Sequence, residues 1–304
     1  VREVKKFDDK FVFDFRRISK ILFRDQFKRD TFKNVYKSIF DRRMLKPTLY
    51  SIFYGFKKMQ KEVLEMSEYV LVQTVKEAED LKRTFNVDFN WQKVLNGVGE
   101  AFINPKPYKN PFDFKDYIMC VGRIEPRKNQ LSIIKAVKRF REEEGLDTRL
   151  VLIGKGSRLK HLEYTTMINK FVKENNWIHQ IEGGIDYNDL PSYYHFAKVC
   201  VSASWFETTG LTSLEALYCG TNTVASGLRA KEYLGSYASF CQPDDIESIK
   251  EAIKHEYYSP RPVLDSKIRE GYTWENAAKR TLEVYTSILE KDKKQEVKKG
   301  KKNK

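Results

Sequence analysis

The spacing of apolar residues changes along the chain and predicts which segments are strands and which are helices. Between residues 117 and 241, short apolar runs alternate with longer segments in which apolar residues recur every three or four positions. The runs predict buried strands at 117–121, 149–153, 177–182, 198–202, 222–226 and 239–241. The segments between them predict helices at 129–144, 157–175, 189–196 and 211–219. This alternation predicts an α/β fold with a parallel sheet covered on both faces.

The first hundred residues give a weaker α/β pattern. Residues 11–15 (FVFDF) predict a short strand, and apolar residues spaced among Lys and Arg at 18–40 predict one or two basic amphipathic helices. A helix at 50–66, a strand at 68–72, a helix at 75–85 and a strand at 93–98 follow. The basic helices have two interpretations: packing on the rest of the domain with a solvated basic face, or attachment to an anionic membrane surface.

The stretch 202–226, SASWFETTGLTSLEALYCGTNTVAS, combines a predicted strand end, a turn and a helix. Glu207 falls in the turn and Glu215 falls about one turn into the helix. The backbone N–H groups of Gly210, Leu211 and Thr212 lie at the helix N-terminus, where they have no intrahelical acceptor. A helix start of this kind can hold a phosphate group. Two acids at this spacing are common, so the spacing alone leaves Glu215 open to a purely structural role.

The full sequence of residues 202–226 is more specific than the spacing of Glu207 and Glu215. Its pattern Ser-Trp-Phe-Glu-x-x-Gly-Leu-x-x-x-Glu-Ala-Leu-x-Cys-Gly-Thr resembles the donor-binding signature of the family 4 retaining glycosyltransferases. That family has the GT-B architecture of two facing Rossmann-like domains. The resemblance implies that Glu207 contacts the donor sugar beside the reacting carbon and that Glu215 accepts hydrogen bonds from the ribose hydroxyls. It also implies that the amides of Leu211 and Thr212 hold the diphosphate.

Other predicted strand ends carry groups suited to a nucleotide-sugar. Gly122, Arg123 and Lys128 follow the first strand of the regular pattern, in the segment GRIEPRK. This segment resembles the family's phosphate-clamping loop, which implies that Arg123 and Lys128 neutralise the diphosphate as it leaves. Arg127 is adjacent, and spacing does not say which of the three basic side chains points inward. Ile181 and Gly183 match the family's base-binding edge.

The resemblance covers residues 50–289, and the first half of the family's N-terminal domain has no counterpart. In the family that half often carries a histidine near the reacting sugar, whereas all four histidines of this chain follow residue 160. Either the chain is a fragment of a longer protein or its N-terminal domain is unusually small. We favour a fragment with a complete C-terminal Rossmann-like domain and a partial N-terminal α/β domain. The predicted limits are 1–104 for the acceptor-side domain, 105–116 for a linker, 117–290 for the donor domain and 291–304 for a disordered basic tail.

Net charge, the length of apolar runs and the cysteine pattern limit the classes of protein to which the chain can belong. The net charge of +14 arises in two segments, because residues 1–68 carry 18 Lys/Arg against 10 Asp/Glu and residues 291–304 carry 8 against 2. The neutral middle of the chain argues against nucleic-acid binding. No apolar run reaches the roughly 18 residues that a membrane-spanning helix needs. Four isolated cysteines without a C-x-x-C pair predict buried reduced thiols in a cytoplasmic protein. Attachment of the basic amphipathic helices to a membrane would place the protein on the inner face of that membrane.

The predicted activity is retaining transfer of a hexose from a nucleotide-sugar to a glycan or lipid-linked acceptor, in cell-surface polysaccharide or glycolipid synthesis. No cofactor and no metal are expected, because fixed positive groups would stabilise the diphosphate. Alternatives are a GT-B epimerase or phosphorylase and a non-catalytic scaffold that binds nucleotide-sugar without transfer. A basic nucleic-acid-binding protein is supported by net charge alone.

Overall fold

The computed structural model describes residues 25–156 and 161–302, which divide into two compact units. The larger unit contains Leu95–Lys279, and the smaller unit contains the described residues before Leu95 together with those from Arg280 onward. The predicted strand at 11–15 and the start of the predicted basic helices lie outside the described residues.

The smaller unit begins with helices and continues as one β-α-β unit. Its first helix starts after Asp25, whose side chain accepts a hydrogen bond from the Lys28 amide at 3.0 Å. The helical part comprises α1 (Gln26–Phe40), a 3₁₀ turn (Arg42–Met44), α2 (Leu45–Tyr50), a π-helical turn (Ser51–Gly55) and α3 (Phe56–Met66). The β-α-β unit comprises β1 (Val70–Val72), α4 (Val75–Phe85) and β2 (Trp91–Lys93), with β1 and β2 parallel.

The core of the smaller unit forms where α3, α4 and β2 meet. Leu64, Phe85 and Phe89 are buried there, and the partly buried Phe27 of α1 packs edge-to-face on Phe85 at 5.8 Å. The strand predicted at 93–98 ends earlier, at Lys93.

Within the larger unit, the backbone at Gly97 lies directly against the backbone of Thr273 and Trp274. A Cβ atom at Gly97 would lie 2.1 Å from the Trp274 backbone nitrogen, and Val98 forms a single bridge with Thr273. These close backbone contacts explain why the residues after Lys93 do not continue as a strand.

The larger unit is a doubly wound α/β domain. Its elements are α5 (Glu100–Ile103), β3 (Tyr117–Val121), a 3₁₀ turn (Pro126–Lys128), α6 (Gln130–Glu144), β4 (Leu150–Ile153), α7 (Leu162–Glu174), β5 (Ile178–Ile181), α8 (Leu190–Phe196), β6 (Ala197–Val201), α9 (Leu211–Tyr218), β7 (Asn222–Ser226), α10 (Leu228–Leu234), a 3₁₀ turn (Gly235–Tyr237), β8 (Ser239–Cys241), α11 (Ile246–Tyr258) and α12 (Ser266–Gly271). The last helix, α13 (Trp274–Lys302), begins in this unit. All six strands β3–β8 are parallel.

Strands β3 and β4 are apolar because both faces of the sheet are covered there. Tyr117, Ile118 and Met119 in β3 are fully buried, and every residue of β4 and β7 is buried as well. A strand without a solvent face has no polar alternation, which is why continuous apolar runs predict these strands. The structure confirms the parallel sheet, and β3, β7 and β8 have the predicted bounds.

The strand order places a crevice between β3 and β6. The sheet order is β5-β4-β3-β6-β7-β8, so the chain first adds strands on one side of β3 and then, from β6, on the other. Loops that leave the carboxyl ends of β3 and β6 therefore diverge, and the gap between them is the usual ligand site of open α/β sheets. The loop after β3 carries Arg123 and Lys128, and the loop after β6 carries Glu207.

Two boundaries differ from the sequence prediction. Residues 95–104 belong to the larger unit, because Val98 and Phe102 are buried in its core with Tyr117 and Tyr194. Helix α13 runs to Lys302, so residues 291–302 are helical where composition predicts a disordered tail. Lys and Glu favour helix, so a helix already formed at Trp274 can extend through this segment. In the described ranges, no helix is both long enough and apolar enough to cross a membrane.

Candidate functional site

The loop after β3 approaches the loop after β4 so closely that side chains are excluded. Gly154 has φ +154°, and a Cβ atom there would lie 2.0 Å from the Gly122 carbonyl oxygen. Ile124 bonds to the Lys155 carbonyl at 3.1 Å, which holds the two loops together. The stem of Lys128 runs beside Gly122. The Lys128 stem thus packs along the backbone at the end of β3, where a Cβ atom at residue 122 would lie 3.4 Å from it.

Lys128 and Glu207 meet across the crevice. The Lys128 Nζ atom lies 2.9 Å from Glu207 Oε2, and the two side chains are only 14% and 11% exposed. These residues are 79 positions apart in sequence, so the fold alone brings them together. The structure thereby places two predicted site residues, one from each diverging loop, in a single nearly buried ion pair.

Asn129 fixes the loop that carries Lys128. It has the left-handed conformation (φ +60°) and is buried at the start of α6. Its side-chain amide donates to the carbonyl oxygens of Ala203 and Pro243, at 3.0 and 2.7 Å. The loops that follow β3, β6 and β8 are therefore joined through one side chain. Asn129 was not among the predicted site residues, although Asn is one of the few residues besides glycine that readily adopts the left-handed conformation.

Arg127 ties the same two loops from the other side. Its guanidinium pairs with Glu125 at 3.0 Å and donates to the Phe206 carbonyl at 3.0 Å, directly before Glu207. The Arg127 carbonyl accepts from the Trp205 amide at 2.9 Å. Of the basic residues in this segment, Lys128 contacts Glu207 and Arg127 braces the loop.

Helix α9 begins beside this pair. Gly210 precedes the helix with φ +71°, a conformation that favours glycine, and its carbonyl accepts from the amides of Ser213 and Leu214 at 3.0 Å. Leu211 and Thr212 occupy the first turn, where backbone N–H groups have no acceptor within the helix. The three residues thus lie as predicted, three to five positions after Glu207 at the helix start.

Glu215 points into the domain rather than into open solvent. Its Oε2 atom accepts a hydrogen bond from the Tyr194 hydroxyl at 3.1 Å. Burial raises the pKa of Glu215 to about 7, and the Tyr194 hydrogen bond offsets only part of that effect. Cys200 and Cys219 lie near enough for the carboxylate charge to raise their pKa values further, although burial is the main cause of both shifts. A buried carboxylate with one bonded oxygen retains acceptor capacity for a ligand hydroxyl.

The remaining predicted residues lie at the same edge of the sheet but outside this cluster. The Arg123 side chain is 74% exposed and lies 3.7 Å from Glu125. Ile181 ends β5 and its carbonyl accepts from the Gly154 amide at 3.3 Å, while Gly183 follows with φ +97°. Both follow or end β5, which lies two strands away from β3 on the side opposite to β6.

Two further features concern the chemistry of the site. Among the residues that the structure describes, no cluster of three or more His, Cys, Asp or Glu could hold a metal ion. All four cysteines are buried and free, as predicted. Burial raises the pKa of the Cys120 and Cys241 thiols to about 12, so these groups remain protonated and are poor nucleophiles.

Comparison with known proteins connects this geometry with one family. The family described as Glycosyl transferases group 1 matches residues 105–260, which is about half of the chain. Over 190 residues the chain is 26% identical to the O-antigen chain mannosyltransferase B of Escherichia coli, covering 60% of this chain and 48% of the relative. Over 181 residues it is 30% identical to the mannosylfructose-phosphate synthase of Agrobacterium fabrum, covering 54% and 39%. The chain spans about half the length of the curated relatives it matches.

Solved structures show the same architecture. The sucrose-phosphate synthase of Thermosynechococcus elongatus aligns with a TM-score of 0.63 and 22% identity, covering 77% of this chain and 61% of that one. This likeness confirms the predicted α/β fold of the GT-B type. The sequence resemblance drawn from the motif around Glu207 is confirmed by the match over residues 105–260. The chain belongs to the group 1 glycosyl transferases.

Proposed function

We propose that the crevice between β3 and β6 binds a nucleotide-diphosphate sugar and that the protein transfers its hexose to an acceptor with retention of the anomeric configuration. The observation that carries this proposal is the Lys128–Glu207 pair, which is nearly buried and lies at the switch point of the sheet. Paired charges at such a point are suited to a ligand that carries both hydroxyl groups and anionic phosphate.

Each group has a definite part in this proposal. Lys128, Arg123 and the first-turn amides Leu211 and Thr212 neutralise the diphosphate, and they stabilise it most when the glycosidic bond breaks and its charge increases. Glu207 contacts the donor sugar beside the reacting carbon, and Glu215 accepts from the ribose hydroxyls. Gly122 leaves room for the donor against the backbone, while Ile181 and Gly183 border the base.

Lys128 must change partner for this to happen. In the structure its ammonium lies on Glu207, whereas in the proposed complex it lies on phosphate. The exchange leaves the Glu207 carboxylate free to accept hydrogen bonds from sugar hydroxyls. Glu207 is not assigned as a covalent nucleophile; the departing phosphate assists the acceptor on the same face of the sugar.

The reaction is proposed to need neither metal nor cofactor, because the fixed positive groups take the role that a cation would have. The test is transfer in the presence of excess EDTA, which should leave the rate unchanged. Nuclear magnetic resonance of the fresh product should show the anomeric configuration of the donor. An inverted product would contradict the retaining assignment, and loss of activity that Mg²⁺ or Mn²⁺ restores would contradict metal independence.

The names of the relatives suggest where to look for substrates. One is called a mannosyltransferase of an O-antigen chain and another a mannosylfructose-phosphate synthase, so mannose conjugates are the first donors to test. The proposed acceptor is a glycan or a lipid-linked glycan of cell-surface polysaccharide or glycolipid synthesis, on the cytoplasmic side of a membrane. Incubation of the chain with labelled GDP-mannose or UDP-hexoses and a membrane extract should give a labelled product. Nucleotide binding without any labelled product would favour a non-catalytic scaffold.

A further inference from the structure

Helix α2 and the turn after it present apolar side chains to the outside. Leu45, Leu49, Ile52 and Phe53 recur at helical spacing and are 49%, 45%, 46% and 85% exposed. They lie on one side of the segment Leu45–Gly55. We call these four residues the α2 face.

The inner side of the same segment is polar. Thr48 and Ser51 are buried, and their hydroxyl groups donate to backbone carbonyls, Thr48 to Asn34 at 3.4 Å and Ser51 to Thr48 at 2.8 Å. A surface helix in water normally turns its apolar residues inward and its polar residues outward. This segment does the opposite, so the α2 face is suited to an apolar environment outside the smaller unit.

The stretch of sequence that contains the α2 face is rich in exposed basic residues. Asp41 is the one acid in the sequence between residues 36 and 58, and it pairs with Arg43 at 3.0 Å. The basic residues of the same stretch are Lys37, Arg42, Arg43, Lys46, Lys57 and Lys58. Lys58 also extends over the ring of Tyr54 at 4.4 Å, and Tyr54 stacks on Tyr50. This stretch therefore combines an excess of positive charge with aromatic rings, and the Tyr54 hydroxyl also donates to the acid Glu62 of α3.

We propose that the α2 face docks on an anionic lipid surface, with Phe53 and its apolar neighbours in the interfacial layer and the basic residues on lipid phosphates. An apolar helix side rimmed by Lys and Arg is the pattern of a helix that lies in a membrane interface. The excess of basic residues selects an anionic bilayer over a neutral one. A second copy of this chain would bring the same positive charges together, which disfavours self-association through the α2 face.

This inference goes beyond the transfer reaction and stands on residues of the smaller unit alone. Docking would place the protein on the surface where a lipid-linked acceptor is found. Binding of vesicles and binding of nucleotides are separate measurements, so failure of one proposal is distinguishable from failure of the other.

The test is co-sedimentation of the whole chain with vesicles of phosphatidylcholine alone and with vesicles of equal parts phosphatidylcholine and phosphatidylglycerol. We expect binding to the anionic vesicles to exceed binding to the neutral ones by about tenfold and to weaken as salt is added. The variants Ile52→Ser/Phe53→Ser and Arg42→Glu/Arg43→Glu should each reduce this binding by at least about fivefold. The matched control Lys135→Glu/Lys138→Glu makes the same charge change on α6 and should bind like the wild type.

Several results would overturn the proposal: no vesicle binding, equal binding to both vesicle types, or the same loss in the control as in Arg42→Glu/Arg43→Glu. Circular dichroism must show that the variants are folded. Light scattering must show a monomer, because a dimer that Ile52→Ser/Phe53→Ser dissociates would assign the α2 face to self-association instead.

Discussion

The Lys128 ammonium lies 2.9 Å from the Glu207 carboxylate, and the surrounding protein leaves each side chain less than 15% exposed. Two such charges stabilise each other only as a pair, because either one alone would be buried without compensation. The pair also joins the loops after β3 and β6, which diverge at the switch point of the sheet. In the proposed complex, a bound donor must separate these two opposite charges.

Removal of Lys128 should destabilise the fold more than removal of both partners. We expect Lys128→Met to lower the free energy of unfolding by about 3 kcal/mol, because Glu207 remains charged and nearly buried. The double variant Lys128→Met/Glu207→Gln should recover most of this loss. Urea denaturation of the wild type, both single variants and the double variant measures the coupling directly. The matched control is Lys138→Met, which breaks an exposed i,i+4 pair with Glu142 and should cost less than about 0.5 kcal/mol. Equal losses of unfolding free energy for the two Lys→Met variants would show that the Lys128–Glu207 pair contributes no more to stability than an exposed pair does.

Glu215 should make stability depend on pH. Its pKa in the folded protein is about 7, raised by burial, and in the unfolded chain it returns to the ordinary value of a glutamate. The folded state therefore holds more protons between these two pKa values, so the free energy of unfolding falls as pH rises through this window. Relative to Glu215→Gln, the wild type should lose on the order of 2 to 3 kcal/mol between about pH 4 and about pH 8. Parallel stability curves for the two proteins would show that Glu215 ionises normally.

The contact between Gly122 and Gly154 should tolerate no side chain. Gly154→Ala forces a methyl group against the Gly122 carbonyl oxygen in a backbone conformation that alanine avoids, and we expect a loss of about 3 kcal/mol or more. Gly145→Ala is the control: Gly145 also has positive φ, but a Cβ atom there would have no neighbour within 4 Å. That variant should cost about 1 kcal/mol. Thermal unfolding separates the two, and comparable shifts in melting temperature would mean that the loops can move apart.

The two carboxylates of the site should differ in what they do for the donor. Glu207→Ala should abolish transfer while leaving nucleoside diphosphate binding unchanged or stronger, because Lys128 is released from its partner. Glu215→Ala should mainly weaken binding, through loss of the acceptor for the ribose hydroxyls. Calorimetric titration with nucleoside diphosphate and a transfer assay together separate these effects. Equal loss of nucleotide affinity in both variants would count against the division of roles.

Much of the fold could be predicted because the spacing of apolar residues along the chain reflects which positions are buried. Strand β3 is almost entirely buried, so its sequence is apolar without interruption and its limits are visible. The limits of β7 and β8 were also predicted correctly, although β7 contains the buried polar residues Asn222, Thr223 and Ser226. The same pattern places Arg123, Lys128 and Glu207 at one edge of the sheet. It cannot choose among neighbouring basic residues, because that choice depends on the 3₁₀ turn Pro126–Lys128 and on Asn129, which bonds to residues 74 and 114 positions away.

Predictions from composition were less successful than those from periodicity. The Lys-rich end of the chain suggests disorder, yet α13 continues to Lys302, because residues with good helix propensity can extend an existing helix. Periodicity also failed once: the short strand predicted at 93–98 ends at Lys93, since the close approach of Gly97 to the backbone of Thr273 and Trp274 is a tertiary contact. The helix extension depends on an element that has already formed, and the end of the strand depends on residues far away in the sequence.

We propose that the crevice between β3 and β6 holds the diphosphate of a nucleotide-sugar. The most direct test is a thermal-shift panel of UDP, GDP, ADP and their hexose conjugates on the wild type, on Arg123→Ala and on Arg139→Ala. Arg123 is largely exposed, so its removal should leave the fold intact, and Arg139 on α6 is a matched exposed arginine. We expect one nucleotide family to raise the melting temperature of the wild type and of Arg139→Ala, and to raise that of Arg123→Ala much less. If no nucleotide shifts the folded wild type, or if Arg123→Ala responds fully, the crevice between β3 and β6 is not the donor site.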